Sequence, residues 1–207
     1  MGNSAPYEGK PIMSDAFLEL ISDFAKNRKD SGETVRFLEY GAGNSTCYWA
    51  SNPYIDEMVS VEANSQWGDF IKQKIQNLSE ETSRKITLHV VAVDDLQEKE
   101  KLGGKIGWSE KFKDWWVDYS DYAKDNYPKE NFDIIIVDGH DRKRCFIKCI
   151  DLLKKGGMLL FHDIHSEEFN TYDPKDRSAD TFSDLVVNDY INFGSGRGNL
   201  GMVCFKK

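Results

Sequence analysis

The chain has 207 residues, with 27 basic and 35 acidic side chains and a formal net charge of −8. This length suits one domain with a full-sized core, so residues 1–207 are interpreted as a single domain. The acidic balance repels phosphate backbones and argues against nucleic acid as a partner. No apolar run approaches the roughly 20 residues that a transmembrane helix needs, so we expect no membrane partner.

Residues 1–30 are interpreted as a leading helix that covers the ligand site or packs against the sheet. Apolar residues recur at helical spacing from Met13 to Phe24, and Ser14 suits the N-cap position. The polar run from Asn27 to Gly32 is expected to end this helix.

The stretch from Phe37 to Thr46 predicts a buried strand, a tight glycine turn and the start of a helix. Glu39 stops the apolar run, and Gly41, Gly43 and Ser45 follow it. Glycine allows a sharp turn and lets a ligand lie against the backbone. Such a turn at the carboxyl end of a parallel strand is the usual ligand crevice of an open α/β sheet. The dinucleotide fingerprint needs a third glycine where Thr46 stands, which disfavours a nicotinamide-dependent oxidoreductase.

Two further strand ends carry acids. The second predicted strand, Met58 to Glu62, ends on a carboxylate that can accept both hydroxyl hydrogens of a ribose, with Ala63 beside it. The third predicted strand runs from Lys85 to Val93, and Asp94 follows it. Asp94 either contacts an adenine amine or caps the next helix.

Residues 97–131 are interpreted as an aromatic helical insertion. Ser109 to Tyr127 predicts an amphipathic helix with an aromatic stripe, and Trp108 precedes it. Such a stripe usually belongs to the core. The alternative is that Trp108 and some of the tyrosines line an acceptor pocket.

The last third of the chain predicts two more parallel strands and a closing hairpin. Phe132 to Asp138 reads as a strand buried on both faces. A helix ended by Lys154 to Gly157 follows, and Met158 to Phe161 is the fifth strand. Residues 166–183 predict a mobile loop. The apolar stretches Leu185–Phe193 and Leu200–Phe205 predict a hairpin.

These motifs resemble the class I S-adenosylmethionine (SAM) methyltransferases. The turn with Glu39, Gly41, Gly43 and Ser45 resembles their motif I, and residues 132–165 resemble motifs IV to VI of small-molecule O-methyltransferases. More weakly, the turn with Trp49 is similar to plant glucuronoxylan methyltransferases, and the short format to algal-virus glycan methyltransferases. The resemblance implies a Rossmann-like α/β fold with a seven-stranded sheet, five parallel strands plus a C-terminal antiparallel hairpin, and helices on both faces.

The resemblance also implies SAM as cofactor. The residues expected to bind it lie at the ends of the first four strands: Glu39, Gly41, Gly43, Ser45, Glu62, Ala63, Asp94 and Asp138.

Methyl transfer to a hydroxyl needs an aligned acceptor and a route for its proton. Asp138, His140 and Asp163 are the candidate catalytic residues, with His140 as base and Asp138 orienting it or the acceptor. The alternative is a divalent ion, magnesium or manganese, held by Asp138, His162 and Asp163. This second set resembles the metal-dependent O-methyltransferases, although an Asp-Asn pair stands there in place of His162-Asp163.

The sequence therefore predicts a SAM-dependent O-methyltransferase that acts on a sugar or glycan hydroxyl. A catechol-like or natural-product O-methyltransferase is the first alternative, and a nucleotide- or SAM-binding module without activity is the second. The cysteines form no Cys-x-x-Cys pair, which favours reduced thiols and a cytoplasmic location. A homodimer is left open.

Overall fold

The computed structural model describes residues 9–11, 13–93, 116–162, 185–192 and 200–207. The strands are β1 (Arg36–Tyr40), β2 (Glu57–Glu62), β3 (Ile86–Val90), β4 (Phe132–Val137), β5 (Leu153–Phe161), β6 (Leu185–Asn192) and β7 (Leu200–Lys206). The helices are α1 (Asp15–Asp30), α2 (Asn44–Ala50), α3 (Ser65–Gln76), α4 (Glu80–Arg84), α5 (Val117–Asn126) and α6 (Arg142–Cys149), and a 3₁₀ turn spans Ile150–Leu152.

The strands form one sheet in the order β3-β2-β1-β4-β5-β7-β6. Neighbours among the first five strands are parallel, and β7 is antiparallel to both β5 and β6. The prediction of a Rossmann-like mixed sheet, with five parallel strands followed by an antiparallel hairpin, is confirmed. Because β1 and β4 are adjacent but not consecutive, a crevice is expected where their carboxyl ends meet.

The sheet carries apolar layers on both faces. One cluster joins Tyr119 and Ala123 of α5 and Cys145 of α6 to the sheet. The other joins Phe17 of α1 and Trp49 of α2 to the opposite sheet face. Burial of both faces explains why the strands read as continuous apolar runs, and it confirms the prediction of helices on either side.

One predicted helix boundary agrees with the structure and one does not. Helix α1 ends at Asp30, inside the polar run expected to end it, and the hydroxyl of its N-cap, Ser14, accepts a hydrogen bond from the Phe17 amide at 3.3 Å. The stretch Lys154 to Gly157 belongs to β5 and does not end a helix. Its ladder with β4 is irregular there, and Gly156 has a φ of 69°, so the stretch that looked like a helix stop forms a strand irregularity.

Several predictions fall outside the described residues. These are most of the insertion, the loop 166–183, the hairpin turn, and the candidate side chains Trp108, Asp94 and Asp163. Within the described part of the chain, no helix has the length and apolar character needed to cross a membrane.

Candidate functional site

Glu39 lies beneath the glycine turn and is fully buried. Its carboxylate accepts hydrogen bonds from Ser45, from Thr46 at 2.6 Å and from Ser60 at 2.9 Å. Burial raises the pKa of Glu39 to about 7, with the nearby Asp138 carboxylate adding to the shift and the hydroxyl donors opposing it. These contacts join the end of β1 to the first turn of α2 and to β2, so Glu39 stabilises the turn.

Gly41 brings the ends of β1 and β4 together. It has a φ of +99°, and a Cβ placed on it would lie 2.6 Å from the Cα of Gly139. A Cβ on Gly139 would in turn lie 3.0 Å from the Cα of Gly41 and closer still to the Tyr119 hydroxyl. The two turns therefore touch backbone to backbone, and the glycine at 41 is required by packing within the protein.

Gly43 has a different environment. It is the N-cap of α2, and its amide donates to the Thr46 hydroxyl at 3.0 Å. The nearest atom to a Cβ placed there is the Ser45 hydroxyl at 3.6 Å, an ordinary contact. The described residues thus leave room above this glycine, and a ligand could lie against it.

Glu62 ends β2 beside the turn. Its Oε2 accepts from the Ala42 amide at 3.0 Å and its Oε1 from the Asn64 amide at 2.7 Å. Burial raises the pKa of this carboxyl group, and the backbone donors oppose that shift. A carboxylate oxygen has two lone pairs, so each oxygen retains acceptor capacity for a hydroxyl group. Ala63, also buried, lies next to it.

Trp67 is a residue at the turn that the sequence analysis did not identify. Its indole N–H donates to the Ala42 carbonyl at 2.6 Å, while its ring is 44% exposed and lies against Phe70. Lys74 lies over the Phe70 ring and donates to the Asn44 side chain at 2.7 Å. A tryptophan five residues after the strand-end acid Glu62 was the available signal, but its link to the turn depends on tertiary packing.

The ends of β4 and β5 carry the second half of the site. His162 Nδ1 lies 2.9 Å from Asp138 Oδ1, and an ionised carboxylate only accepts, so the proton of this bond belongs to Nδ1. His162 is buried and its ring lies 5.9 Å from that of Phe17 on α1. The leading helix therefore packs against the sheet and also touches this edge.

His140, the candidate base, is exposed beside the same edge. Its ring stacks on Trp116, with the centroids 4.8 Å apart and an angle of 27° between the planes. Trp116 and Tyr119 are buried, so the described part of the aromatic stripe belongs to the core, as expected. The contacts of the Asp138 carboxylate run to His162 and Arg142, so the expectation that Asp138 orients His140 receives no support from this geometry.

Arg142 joins the two strand ends. Its guanidinium donates to the carbonyls of Gly139 at 2.8 Å, His162 at 2.9 Å and Asp138 at 3.2 Å. These bonds anchor Arg142 to the main chain at the ends of β4 and β5.

The proposed metal ligands do not form a ligand set in the described residues. Asp138 and His162 are hydrogen-bonded directly to each other, and Asp163 lies outside the described part. Among the residues that the structure describes, no three His, Cys, Asp or Glu side chains are grouped to hold an ion. The metal set of Asp138, His162 and Asp163 therefore stays a prediction.

The Rossmann-like fold with this strand order is similar to that of solved structures described as methyltransferases. A methyltransferase-like protein from Silicibacter pomeroyi has a similar structure, with a TM-score of 0.58, 19% identity and coverage of 97% of this chain and 90% of that one.

Two O-methyltransferase structures are similar as well. That of Bacillus cereus in complex with SAH has a TM-score of 0.56 and 16% identity over 99% of this chain and 85% of that one. TomG from Streptomyces achromogenes, in complex with SAM, has a TM-score of 0.53 and 15% identity over 91% of this chain and 80% of that one. No family model matches the sequence, and no curated protein matches it. At such identities the likeness establishes the fold.

Alanine substitutions should distinguish Gly41, which packing within the protein requires, from Gly43, above which the described residues leave space for a ligand. Gly41→Ala should lower the free energy of unfolding by more than about 2 kcal/mol, because it combines a left-handed backbone with a clash against Gly139. Gly43→Ala should change it by less than about 0.5 kcal/mol, since its Cβ meets only ordinary contacts. Urea denaturation of both variants measures this. Equal losses would contradict the assignment.

The pH dependence of stability should report on Glu39. Its pKa is raised in the folded protein, so its contribution is complete below pH 4.5 and is lost as the pH rises to about 7. Over that interval the wild type should lose on the order of 3 kcal/mol more than Glu39→Gln, which does not titrate. Urea denaturation at pH 4.5 and 7.5 measures the difference. Glu81→Gln, on the exposed surface of α4, is the control, and parallel pH profiles for wild type and Glu39→Gln would refute the assignment.

Proposed function

We propose that this chain is a SAM-dependent O-methyltransferase. The observation that carries the proposal is the unit formed by the open glycine Gly43 and the Glu62 carboxylate, which are linked through the Ala42 amide at the tips of β1 and β2. The structures from B. cereus and S. achromogenes, described as O-methyltransferases with SAH and SAM, support the same cofactor.

The turn residues fit this cofactor. Room above Gly43 accommodates a ligand against the backbone, and the acceptor capacity left on the Glu62 oxygens suits two ribose hydroxyls. Glu39 and Ser45 are hydrogen-bonded to each other beneath the turn and stabilise it. Gly41 allows the turn to contact the end of β4. Ala63 lies beside the proposed ribose position. Asp94 is kept as a proposed adenine contact outside the described residues.

The reaction needs a proton acceptor beside the methyl group. When bound, SAM supplies an electrophilic methyl on its sulfonium. His140 takes the hydroxyl proton of the acceptor, because its imidazole is exposed at the edge and its ordinary pKa, near 6.5, suits a base. Asp138 orients the acceptor hydroxyl, and Asp163 is kept as a further proposed catalytic residue.

For the acceptor we propose a hydroxyl of a sugar or glycan. The resemblance of the turn with Trp49 to plant glucuronoxylan methyltransferases supports this acceptor. A natural-product hydroxyl is the second candidate, since TomG, described as involved in tomaymycin synthesis, has the same fold. We also propose a cytoplasmic location, which the four free, buried cysteines support.

Calorimetry and an acceptor screen test the proposal. The protein should bind SAM and SAH but not NAD, and labelled SAM should label one class among nucleotide sugars, free glycans and catechols. Binding of NAD alone would replace the proposal with an oxidoreductase. Binding of SAM without transfer to any acceptor would favour a SAM-binding module without activity.

Glu62→Ala should weaken SAM binding about 10- to 100-fold, because hydrogen bonds to a charged group contribute about 1.5–3 kcal/mol. Calorimetric titration measures the dissociation constant, and thermal unfolding checks that the variant folds. Glu57→Ala, at the exposed start of the same strand, removes an ion pair with Arg36 and should leave the affinity unchanged. Unchanged affinity in Glu62→Ala would place the ribose elsewhere.

His140→Ala should lower kcat at least about 100-fold while SAM affinity stays within about threefold, since it removes a proton acceptor and no cofactor contact. The matched control is His89→Asn, whose ring bridges the hydroxyls of Tyr122 and Tyr127. Methyl-transfer rates are measured with and without a chelator. Full activity in His140→Ala would exclude His140 as the base. Activity that is lost on adding the chelator and restored by magnesium would favour the metal alternative.

A further inference from the structure

Arg142 binds three main-chain carbonyls at the ends of β4 and β5. Among the described residues, the last ladder bond between these strands runs from the His162 amide to the Val137 carbonyl at 3.1 Å. The carbonyls of Asp138, Gly139 and His162 lie beyond that bond. Buried or half-buried carbonyls of this kind need partners, and three N–H groups of one guanidinium supply them.

The backbone before Arg142 turns so that this side chain can reach back. Asp141 is the N-cap of α6 and has a left-handed conformation, with φ 44° and ψ 41°. Non-glycine residues adopt this region at a cost, and aspartate is among those that tolerate it best. Through this turn α6 begins at Arg142, and the guanidinium lies over the strand ends that the chain has just left.

The guanidinium also lies close to the acid of the edge. Its Nη2 is 3.4 Å from Asp138 Oδ1, the same oxygen that His162 contacts at 2.9 Å. A planar group with several fixed donors sets the distances between its acceptors more strictly than a single ammonium group can. Because the main-chain contacts of Arg142 run to both residues of the pair, it sets how far β4 and β5 stand apart at this point.

We propose that Arg142 is a positioning residue for methyl transfer, which fixes the Asp138–His162 hydrogen bond by joining the ends of β4 and β5. This inference rests on the proposed function, because it assigns the pair to the reactive edge. Arg142 acts through the geometry of the pair and makes no contact with the reacting atoms.

The test uses Arg142→Lys in the full chain, with Arg144→Lys as the matched control on the same helix. Arg144 pairs with Asp141 at 3.3 Å and makes none of the three carbonyl bonds described above. We expect Arg142→Lys to lower kcat about 10- to 100-fold, since small misplacements of aligned groups have effects of that size. SAM affinity should stay within about threefold of wild type in both variants, and Arg144→Lys should keep the wild-type kcat.

A second measurement does not require activity. In ¹⁵N-labelled protein, the His162 side chain, assigned with His162→Asn, should carry its proton on Nδ1, as the bond to Asp138 requires. In Arg142→Lys this tautomer signal should weaken or shift, and in Arg144→Lys it should not. The histidine spectrum therefore tests the inference even if the wild type methylates no acceptor, a result that would instead end the proposed function.

Two outcomes would overturn the inference. One is an Arg142→Lys variant with unchanged kcat and an unchanged His162 signal. The other is a variant in which kcat, SAM affinity and thermal stability fall together, because that pattern describes a general structural contribution.

Discussion

The backbone contact between Gly41 and Gly139 is the constraint on which the candidate site depends. The two turns approach so closely that a Cβ on either residue would overlap the other chain segment. The contact is extended by the Asp138 amide, which donates to the Tyr40 carbonyl at 2.9 Å. The turn at the end of β1 and the edge made by β4 and β5 are therefore held in one fixed relation, so a ligand on the first is presented to the second.

Two acids of similar sequence context have different surroundings. Glu39 is enclosed by hydroxyl donors and has no exposed surface, whereas Glu62 shares its oxygens with two backbone amides at the rim of the turn. Burial raises the pKa of both, but only Glu62 lies where a ligand hydroxyl could reach it. The first carboxyl group holds the turn together, and the second is the one to which we assign the proposed ribose contact.

The sequence predicts the order of the elements and the residues at the strand ends, because local rules govern both. Apolar runs such as Phe132–Val137 indicate buried strands, and glycines with flanking acids indicate turns at the carboxyl edge. What the sequence could not show depends on long-range geometry. Nothing local indicates that Arg142 reaches back to His162, or that Trp67 donates to Ala42. The lysines and glycines before Met158 satisfy the rules for a helix end, and only pairing with β4 places them in a strand.

The same geometry decides how the reactive edge can work. Methyl transfer from a sulfonium requires alignment more than covalent assistance, so rigid placement of the acceptor is the main contribution a protein can make. The carbonyls past the end of the β4–β5 ladder are bound by one guanidinium, and the Asp138 carboxylate is held by His162 and Arg142 together. Groups fixed in this way need little reorganisation when a reaction develops charge. His140 is exposed at this edge and its ring stacks on Trp116, which places an imidazole where the proposed reaction needs a proton acceptor.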